Sequence, residues 1–118
     1  MITVIRTRYP NDRGLWVSCG MFVLGSRPTL LRDVDLRLAG MALRKNGEVV
    51  STGAGAACLG HPVNAVVWLA NTLGQHGTQL RAGDIILSGA LGPVTDVKPG
   101  DVVEIDIAWL GGASVSFR

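Results

Sequence analysis

The sequence predicts a mostly β protein of the α+β class, with one main helix near residues 62–74. Three observations support this fold class. Apolar and polar residues alternate with a period of two along residues 34–43, which is the pattern of a half-buried strand. The dipeptide Asn46-Gly47 follows, and it favours a two-residue hairpin because both central positions of a type I′ turn need positive φ. A later stretch has helical spacing of apolar residues instead.

The strands around this hairpin are predicted in order. Residues 1–8 alternate weakly as a strand, and a turn cluster and short apolar pieces follow. Within residues 34–43, we expect Val34, Leu36 and Leu38 to share one face of a strand. The return strand is predicted at 48–52, and the small residues at 53–57 are predicted to form a loop.

The helix is predicted to open at His61-Pro62, because proline at the first helical position leaves no amide hydrogen unpaired. Gly74 or Gly77 is predicted to end it. The apolar residues are spaced for one buried face, which comprises Val63, Val66, Val67, Ala70 and Leu73.

Two similar turns follow the helix, at residues 81–84 and 98–101. Each is predicted to lead into an apolar strand, the first at 85–87 and the second at 102–107. A turn at Gly111-Gly112 is predicted to lead into the last strand.

Composition excludes several classes of function. The chain has 118 residues, enough for one domain, and a net charge of +2 from scattered basic residues, which argues against a nucleic-acid partner. No apolar run is long enough to span a membrane, so we expect no membrane partner and a cytoplasmic protein. Cys19 and Cys58 lie far apart without a CxxC pattern; two thiols are the simpler interpretation, and a disulfide stays an alternative.

One candidate binding site follows an apolar stretch, at Ser88-Gly89 and the small residues after it. Small residues allow a ligand to approach the backbone closely, and the amides with the Ser88 hydroxyl suit a carboxylate. A plain turn is favoured about equally by the pattern. The glycines at 53–55 lack the spacing of a dinucleotide loop, so close packing is the preferred interpretation there.

Two further candidates are weaker. Glu104 and Asp106 share a strand face and could bind magnesium or manganese through oxygen, although a solvated strand face is the commoner arrangement. His61, at the start of the helix, suits a hydrogen-bonding or structural role better than that of a general base, since no nucleophile signature accompanies it.

Several stretches together resemble the 2-keto-4-pentenoate hydratases, members of the fumarylacetoacetate hydrolase-like superfamily. They are residues 35–41, 45–71, 80–84 and 87–92, and the run Gly-Ala-Gly-Ala-Ala-Cys-Leu-Gly-His-Pro at 53–62 is long enough to be specific. The 4-oxalocrotonate decarboxylases are similar in this region. The resemblance divides the chain into a degenerate amino-terminal segment at 1–19 and a carboxy-terminal domain at 20–118.

The resemblance implies a mixed β-roll fold, a divalent cation (Mg²⁺ or Mn²⁺) and a small 2-oxo or 2-hydroxy acid from aromatic-compound catabolism. The hydratases add water to 2-hydroxypenta-2,4-dienoate and give 4-hydroxy-2-oxopentanoate. In such an enzyme the cation binds the 2-oxo acid and stabilises its enolate.

The resemblance also implies site residues. Ser18, Ser88 and Gly89 match positions beside the active site, where they would bind substrate. Thr3 stands where the family has a metal-binding glutamate, and a hydroxyl is a poor replacement for a carboxylate at a hard cation. The family's catalytic lysine and its pair of metal-binding glutamates have no counterpart in residues 20–118.

We therefore expect no catalytic or metal-binding residue in this chain, and no cation bound by this chain alone. The corresponding expectation for function is a truncated hydratase with impaired or no activity on its own. Two alternatives remain open: a non-catalytic fragment that associates with itself or with a homologous subunit, and a relative of the decarboxylases. A homo-oligomer or an association with a homologue is expected because apolar surface would otherwise be exposed.

Overall fold

The computed structural model describes residues 21–118 and the backbone of one strand at residues 2–5. Strand β1 (Ile2–Ile5) pairs antiparallel with β2 (Met21–Leu24). A second, four-stranded antiparallel sheet contains β3 (Gly40–Lys45), β4 (Glu48–Ala54), β5 (Val102–Ile107) and β6 (Gly111–Ser116), in the order β4-β3-β5-β6. Helix α1 (Pro62–Gln75) lies between β4 and β5 in the chain. The predicted fold class, mostly β with one main helix, is confirmed.

The predicted hairpin joins β3 to β4. Asn46 has φ 54° and Gly47 has φ 87°, as a type I′ turn requires, and Lys45 pairs with Glu48. In the Asn46 side chain, Nδ2 donates to the Asp101 carboxylate at 2.8 Å and Oδ1 accepts from the Val102 backbone amide at 2.9 Å. The Asn46 bond and the Lys98 amide hold the pKa of Asp101 below its ordinary value. The hairpin is thus attached to the start of β5.

The strand predicted over residues 34–39 is wrong, because β3 begins only at Gly40. The Asp35 carboxylate accepts from the Arg37 amide at 3.0 Å, and the Leu38 amide donates to the Asp35 carbonyl at 3.1 Å. A short acidic side chain that bonds the backbone two residues on offers the chain a turn in place of a strand. Leu38, predicted to share a strand face with Val34 and Leu36, is 67% exposed, whereas those two residues are half-buried.

The core lies on one face of the four-stranded sheet, where Met41 of β3 pairs with Ile107 of β5 and both are buried with Ala39. Partly buried apolar side chains pack against this cluster, namely Leu43, Leu91, Ile105 and Leu110. An irregularity in the β3–β4 pairing between Leu43 and Arg44 changes which β4 residues face inward. Val50 is left without a residue opposite it and is exposed, while Ser51 lies opposite Leu43 and its hydroxyl points into the protein.

Helix α1 has the predicted boundaries. His61 is its N-cap, with Nδ1 accepting from the Val63 amide at 3.0 Å. At the other end, Gly77 has φ +71°, and the amides of Gly77 and Thr78 donate to the carbonyls of Gly74 and Leu73, which is a Schellman motif. Gly77 therefore ends the helix, and Gly74 lies within it.

The predicted buried face of the helix is confirmed only in part, since Val63, Val66 and Leu73 are half-buried. Val67 is 52% exposed and Ala70 is exposed, while the only buried residue of α1 is Pro62. The side that packs is displaced away from Val67 and Ala70, and its half-buried residues are Val63, Ala65, Val66, Leu69, Thr72 and Leu73. Trp68 is left 64% exposed beside Val67. The described residues include no helix with the length and hydrophobicity that crossing a bilayer requires.

The two Gly-Asp turns have the same hydrogen bonding. Asp84 Oδ2 accepts from the Arg81 amide at 2.7 Å, and Asp101 Oδ2 accepts from the Lys98 amide at 2.8 Å. The second turn leads into β5 as predicted. The strand predicted at 85–87 is wrong, since these residues pair with no neighbouring strand of the described chain.

Two glycine-rich elements also differ from prediction. Gly53 extends β4, and Gly55–Ala57 forms a 3-10 helix in place of a loop. The last hairpin turns at residues 108–110, with Trp109 at φ 65°, so Gly111 and Gly112 are already in β6. Trp109 adopts the left-handed conformation within this turn, and Gly111, with φ 80°, adopts a positive φ at the start of β6.

Candidate functional site

The predicted small-residue site forms a segment at residues 88–93 that crosses the end of β4, called the 88–93 segment below. Two buried side chains donate to its main-chain carbonyls. Ser51 Oγ, in a residue only 5% exposed, donates to the Pro93 carbonyl at 2.7 Å. Cys58 Sγ, in a residue 6% exposed, donates to the Ser88 carbonyl at 2.8 Å. The segment is therefore attached to the protein at both ends.

Glycines let this segment approach β4 closely. A Cβ atom built on Gly53 would overlap the Leu91 carbonyl, and one built on Gly92 would lie 2.5 Å from the Thr52 carbonyl oxygen of β4. Likewise, a Cβ at Gly55 would overlap the Leu36 carbonyl. Close packing, the preferred interpretation of the 53–55 glycines, is confirmed; their absent side chains make room for neighbouring backbone.

The start of the segment presents unpaired hydrogen-bond donors. Within the described chain, the amides of Ser88, Gly89 and Ala90 and the Ser88 hydroxyl donate to no protein acceptor. Gly89 and Ala90 are exposed and Ser88 is half-buried. Gly89 has φ +116°, a conformation that favours glycine. Adjacent unpaired amides beside a hydroxyl form a site that can accept an oxygen anion such as a carboxylate.

The described part of the chain does not include the side chains of the other residues implied by the resemblance. Ser18 lies outside the described residues. The backbone of Thr3 pairs with Val23 in the β1–β2 ladder, but its side chain also lies outside them. Substrate binding by Ser18, Ser88 and Gly89 stays a prediction.

The paired acids of β5 do not fit a divalent cation. Asp106 Oδ2 accepts from Arg44 Nη1 at 2.7 Å, and both side chains are more than a third exposed, so this is a surface ion pair. Glu104 pairs with Arg44 across the β3–β5 ladder. No group of three or more His, Cys, Asp or Glu side chains in the described ranges is arranged to hold a metal ion. Glu104 and Asp106 thus lie on a solvated strand face.

A separate concavity of about 530 Å³ lies between residues 31–37 and the start of α1, and its lining includes Asp35, Arg37 and His61. The Arg37 guanidinium, 2.6 Å from Asp35 Oδ2, lowers the pKa of Asp35 from 3.8 to about 2 against the opposing effect of desolvation. His61 Nδ1 already accepts the Val63 amide. The structural role predicted for His61 is confirmed, and this concavity does not include Ser88 or Gly89.

Sequence reasoning missed Ser51 and Cys58 as the residues that hold the 88–93 segment. Ser51 points inward only because the β3–β4 pairing is irregular. Cys58 is a free buried thiol, as the simpler interpretation of the cysteines predicted for it, and Cys19 lies outside the described residues. The sequence signal that could have identified Cys58 was a cysteine within a run of small residues, which is typical of a thiol that packs against backbone.

Comparisons with known proteins bear on this site. Residues 15–117 match the family model described as fumarylacetoacetate (FAA) hydrolase C-terminal. The chain is 59% identical over 101 residues to the 2-keto-4-pentenoate hydratase of Paraburkholderia xenovorans (strain LB400), covering 86% of this chain and 38% of that protein. It is 44% identical over 100 residues to the 2-hydroxyhexa-2,4-dienoate hydratase of Comamonas testosteroni, covering 85% and 38%. The chain therefore spans less than two fifths of these relatives.

Solved structures of a decarboxylase are also similar. The 4-oxalocrotonate decarboxylase from Pseudomonas putida G7, complexed with calcium and acetate, superimposes with a TM-score of 0.82 at 42% identity, covering 86% of this chain and 39% of that one. The same enzyme complexed with magnesium and adipate gives the same TM-score and identity over 38% of its chain.

Proposed function

The chain belongs to the fumarylacetoacetate hydrolase C-terminal family, and from that membership we propose that it is the acid-binding part of a 2-keto-4-pentenoate hydratase. The observation that carries the proposal is the 59% identity with a hydratase of that name. The reaction is the addition of water to 2-hydroxypenta-2,4-dienoate, in which a hydroxyl group joins C4, hydrogen joins C5, and the C2 enol becomes a ketone as a proton leaves its hydroxyl and another joins C3, to give 4-hydroxy-2-oxopentanoate. The substrate class is small 2-oxo or 2-hydroxy acids.

The 88–93 segment is the proposed acid-binding element. The Gly89 amide and the Ser88 hydroxyl donate to the two oxygens of the substrate carboxylate, since neither has an acceptor in the described protein. Hydrogen bonds to a charged acceptor contribute about 1.5–3 kcal/mol each, enough to orient a small acid. Ser18, outside the described residues, is proposed as a third contact.

We propose that the divalent cation implied by the family needs ligands from outside the described residues. Residues 21–118 offer no cluster that fits it. We therefore expect the chain alone to bind acids without help from Mg²⁺ or Mn²⁺, and to have impaired or no hydratase activity.

A relative of 4-oxalocrotonate decarboxylase is the second candidate, favoured by the TM-score of 0.82 with that enzyme. Release of carbon dioxide from 4-oxalocrotonate, without hydration of 2-hydroxypenta-2,4-dienoate, would favour it.

A non-catalytic fragment that associates with itself or with a homologous subunit is the third candidate. It is favoured by apolar side chains exposed on and beside α1, with Leu59 66%, Val67 52% and Trp68 64% exposed. Sedimentation of the purified chain, alone and mixed with a full-length homologue, measures this association.

Calorimetric titration of the chain with oxalate, with and without Mg²⁺, tests the proposal. We expect oxalate to bind in both conditions with the same affinity. The Ser88→Ala variant should bind more weakly by about tenfold or more, the effect of one hydrogen bond to a charged acceptor, whereas Ser114→Ala, at an exposed serine of β6, should bind as the parent does. Absence of oxalate binding contradicts the acid-binding role, and a tenfold gain with Mg²⁺ contradicts the claim that the cation needs other ligands.

A further inference from the structure

The 88–93 segment has no strand partner, yet its two ends are attached to the protein by buried side chains. We propose that Cys58 and Ser51 are positioning residues, which hold the segment from its two ends so that the Gly89 amide stays accessible to a ligand. This inference rests on the proposed acid-binding function, because it concerns the same segment.

The geometry of the peptide bond links Cys58 to the ligand side. The Ser88 carbonyl and the Gly89 amide belong to one peptide unit, which is planar and trans, so the C=O and N–H bonds point in opposite directions. Cys58 Sγ, which is buried, fixes the direction of the Ser88 carbonyl. The Gly89 amide must then point away from the buried thiol, and Gly89 is exposed.

Contact between Cys58 and the segment is close enough to restrict it. A Cβ atom built on Gly89 would lie 3.3 Å from Cys58 Sγ, tighter than ordinary van der Waals contact. The thiol therefore lies directly against Gly89. The thiol donates to a main-chain carbonyl. Holding the segment therefore requires a hydrogen-bond donor at position 58 and does not depend on the side chain at position 88.

Ser51 performs the same task at the far end. Its hydroxyl donates to the Pro93 carbonyl at 2.7 Å, and Ser51 is the one buried polar residue in the described part of the chain. Gly92 lies between the two attachments with no room for a side chain against β4. With both carbonyls held, the peptide units between them have little freedom to rotate.

The test compares Cys58→Ala, which removes the donor, with Cys58→Ser, which keeps one. Backbone ¹⁵N relaxation of the purified chain reports the order parameter of the Gly89 amide, about 0.85 for rigid backbone and below about 0.6 for flexible backbone. We expect a rigid Gly89 in the parent and in Cys58→Ser, and a flexible one in Cys58→Ala. Ser51→Ala should act in the same way on the Gly92 amide.

Val103→Ala is the matched control, since Val103 is buried but lies outside the cluster that contains Leu91. It should destabilise the protein without changing the Gly89 order parameter. An unchanged Gly89 order parameter in Cys58→Ala, or equal loosening in Val103→Ala, overturns the proposal.

Oxalate affinity separates this inference from the proposed function. If oxalate binds the parent, Cys58→Ala should lower its affinity about fivefold and Cys58→Ser should restore it. If Gly89 becomes flexible in Cys58→Ala but the parent binds no oxalate, the positioning role is supported and the acid-binding function is contradicted. Oxalate binding that is equal in parent and Cys58→Ala contradicts the positioning role alone.

Discussion

Substituting Gly53 by alanine should detach the 88–93 segment from β4. The new Cβ would overlap the Leu91 carbonyl and lie 3.0 Å from the Gly92 amide nitrogen. Both neighbours are backbone atoms, so neither can rotate away as a side chain could. The segment must move outward, and the Ser51–Pro93 hydrogen bond of 2.7 Å must lengthen or break.

The expected loss of stability follows from what that movement disrupts. Breaking the Ser51–Pro93 bond with its partners still buried costs about 1–3 kcal/mol. Partial exposure of Leu91, which packs against the core cluster, adds about 1 kcal/mol, given 1.5–3 kcal/mol for a fully buried leucine. Alanine restricts the unfolded chain and offsets about 0.5–1 kcal/mol. The net effect of Gly53→Ala is a decrease of about 1–3.5 kcal/mol in the free energy of unfolding.

Urea denaturation measures this effect, as a lower midpoint at an unchanged slope. Gly40→Ala is the matched control, because Gly40 belongs to the adjacent strand and a Cβ there meets no atom within 4 Å. The control should change the free energy of unfolding by no more than about 0.5 kcal/mol. If Gly53→Ala and Gly40→Ala are equally stable, the close approach of the segment to β4 is refuted.

Three further predictions concern other parts of the chain. Gly47→Ala should lower the free energy of unfolding by about 1–2 kcal/mol in the same denaturation assay, because φ 87° is strained for any residue with a Cβ, and a loss no larger than that of Gly40→Ala would contradict it. The Asp35 carboxyl should titrate by NMR with a pKa of about 2, and Arg37→Gln should move it towards 3.8. Since the folded pKa is lowered, the ion pair stabilises the protein above about 3.8, and this contribution is lost as the pH falls through about 2; an unshifted titration in the parent would contradict the pairing. Trp68→Ser should change stability by less than about 0.5 kcal/mol, since Trp68 is 64% exposed, but should weaken self-association measured by sedimentation; unchanged sedimentation would remove Trp68 from the association surface.

Local backbone preferences were predictable from the sequence. Asn46-Gly47 forms the expected turn because its two residues tolerate positive φ wherever they occur. Pro62 and Gly77 mark the ends of α1 because one lacks an amide hydrogen and the other tolerates the left-handed conformation. These signals depend on one or two residues and not on tertiary packing.

Alternation and helical spacing were less informative, because each fits more than one structure. The alternating residues at 34–39 form a turn once the Asp35 carboxylate bonds the Arg37 amide. The apolar residues of α1 surround much of the helix, so spacing did not determine which side packs, and Val67 is exposed.

The candidate site was predictable only in part. Ser88 and Gly89 were identified from small residues after an apolar run, and they do present unpaired amides in the described chain. Cys58 and Ser51 were not identified because their bonds to the segment span 30 and 42 residues. Contacts between residues so far apart in the sequence depend on the irregular β3–β4 pairing and on the path of the chain after α1. No local sequence pattern predicts either of these.

The most direct test of the account is a titration of the ¹⁵N-labelled chain with oxalate, followed by the backbone amide resonances. The account predicts that the Gly89 and Ala90 amides shift first and furthest, with and without Mg²⁺. No shift of these amides, or shifts confined to the concavity around Asp35 and His61, would contradict the assignment of the acid-binding site.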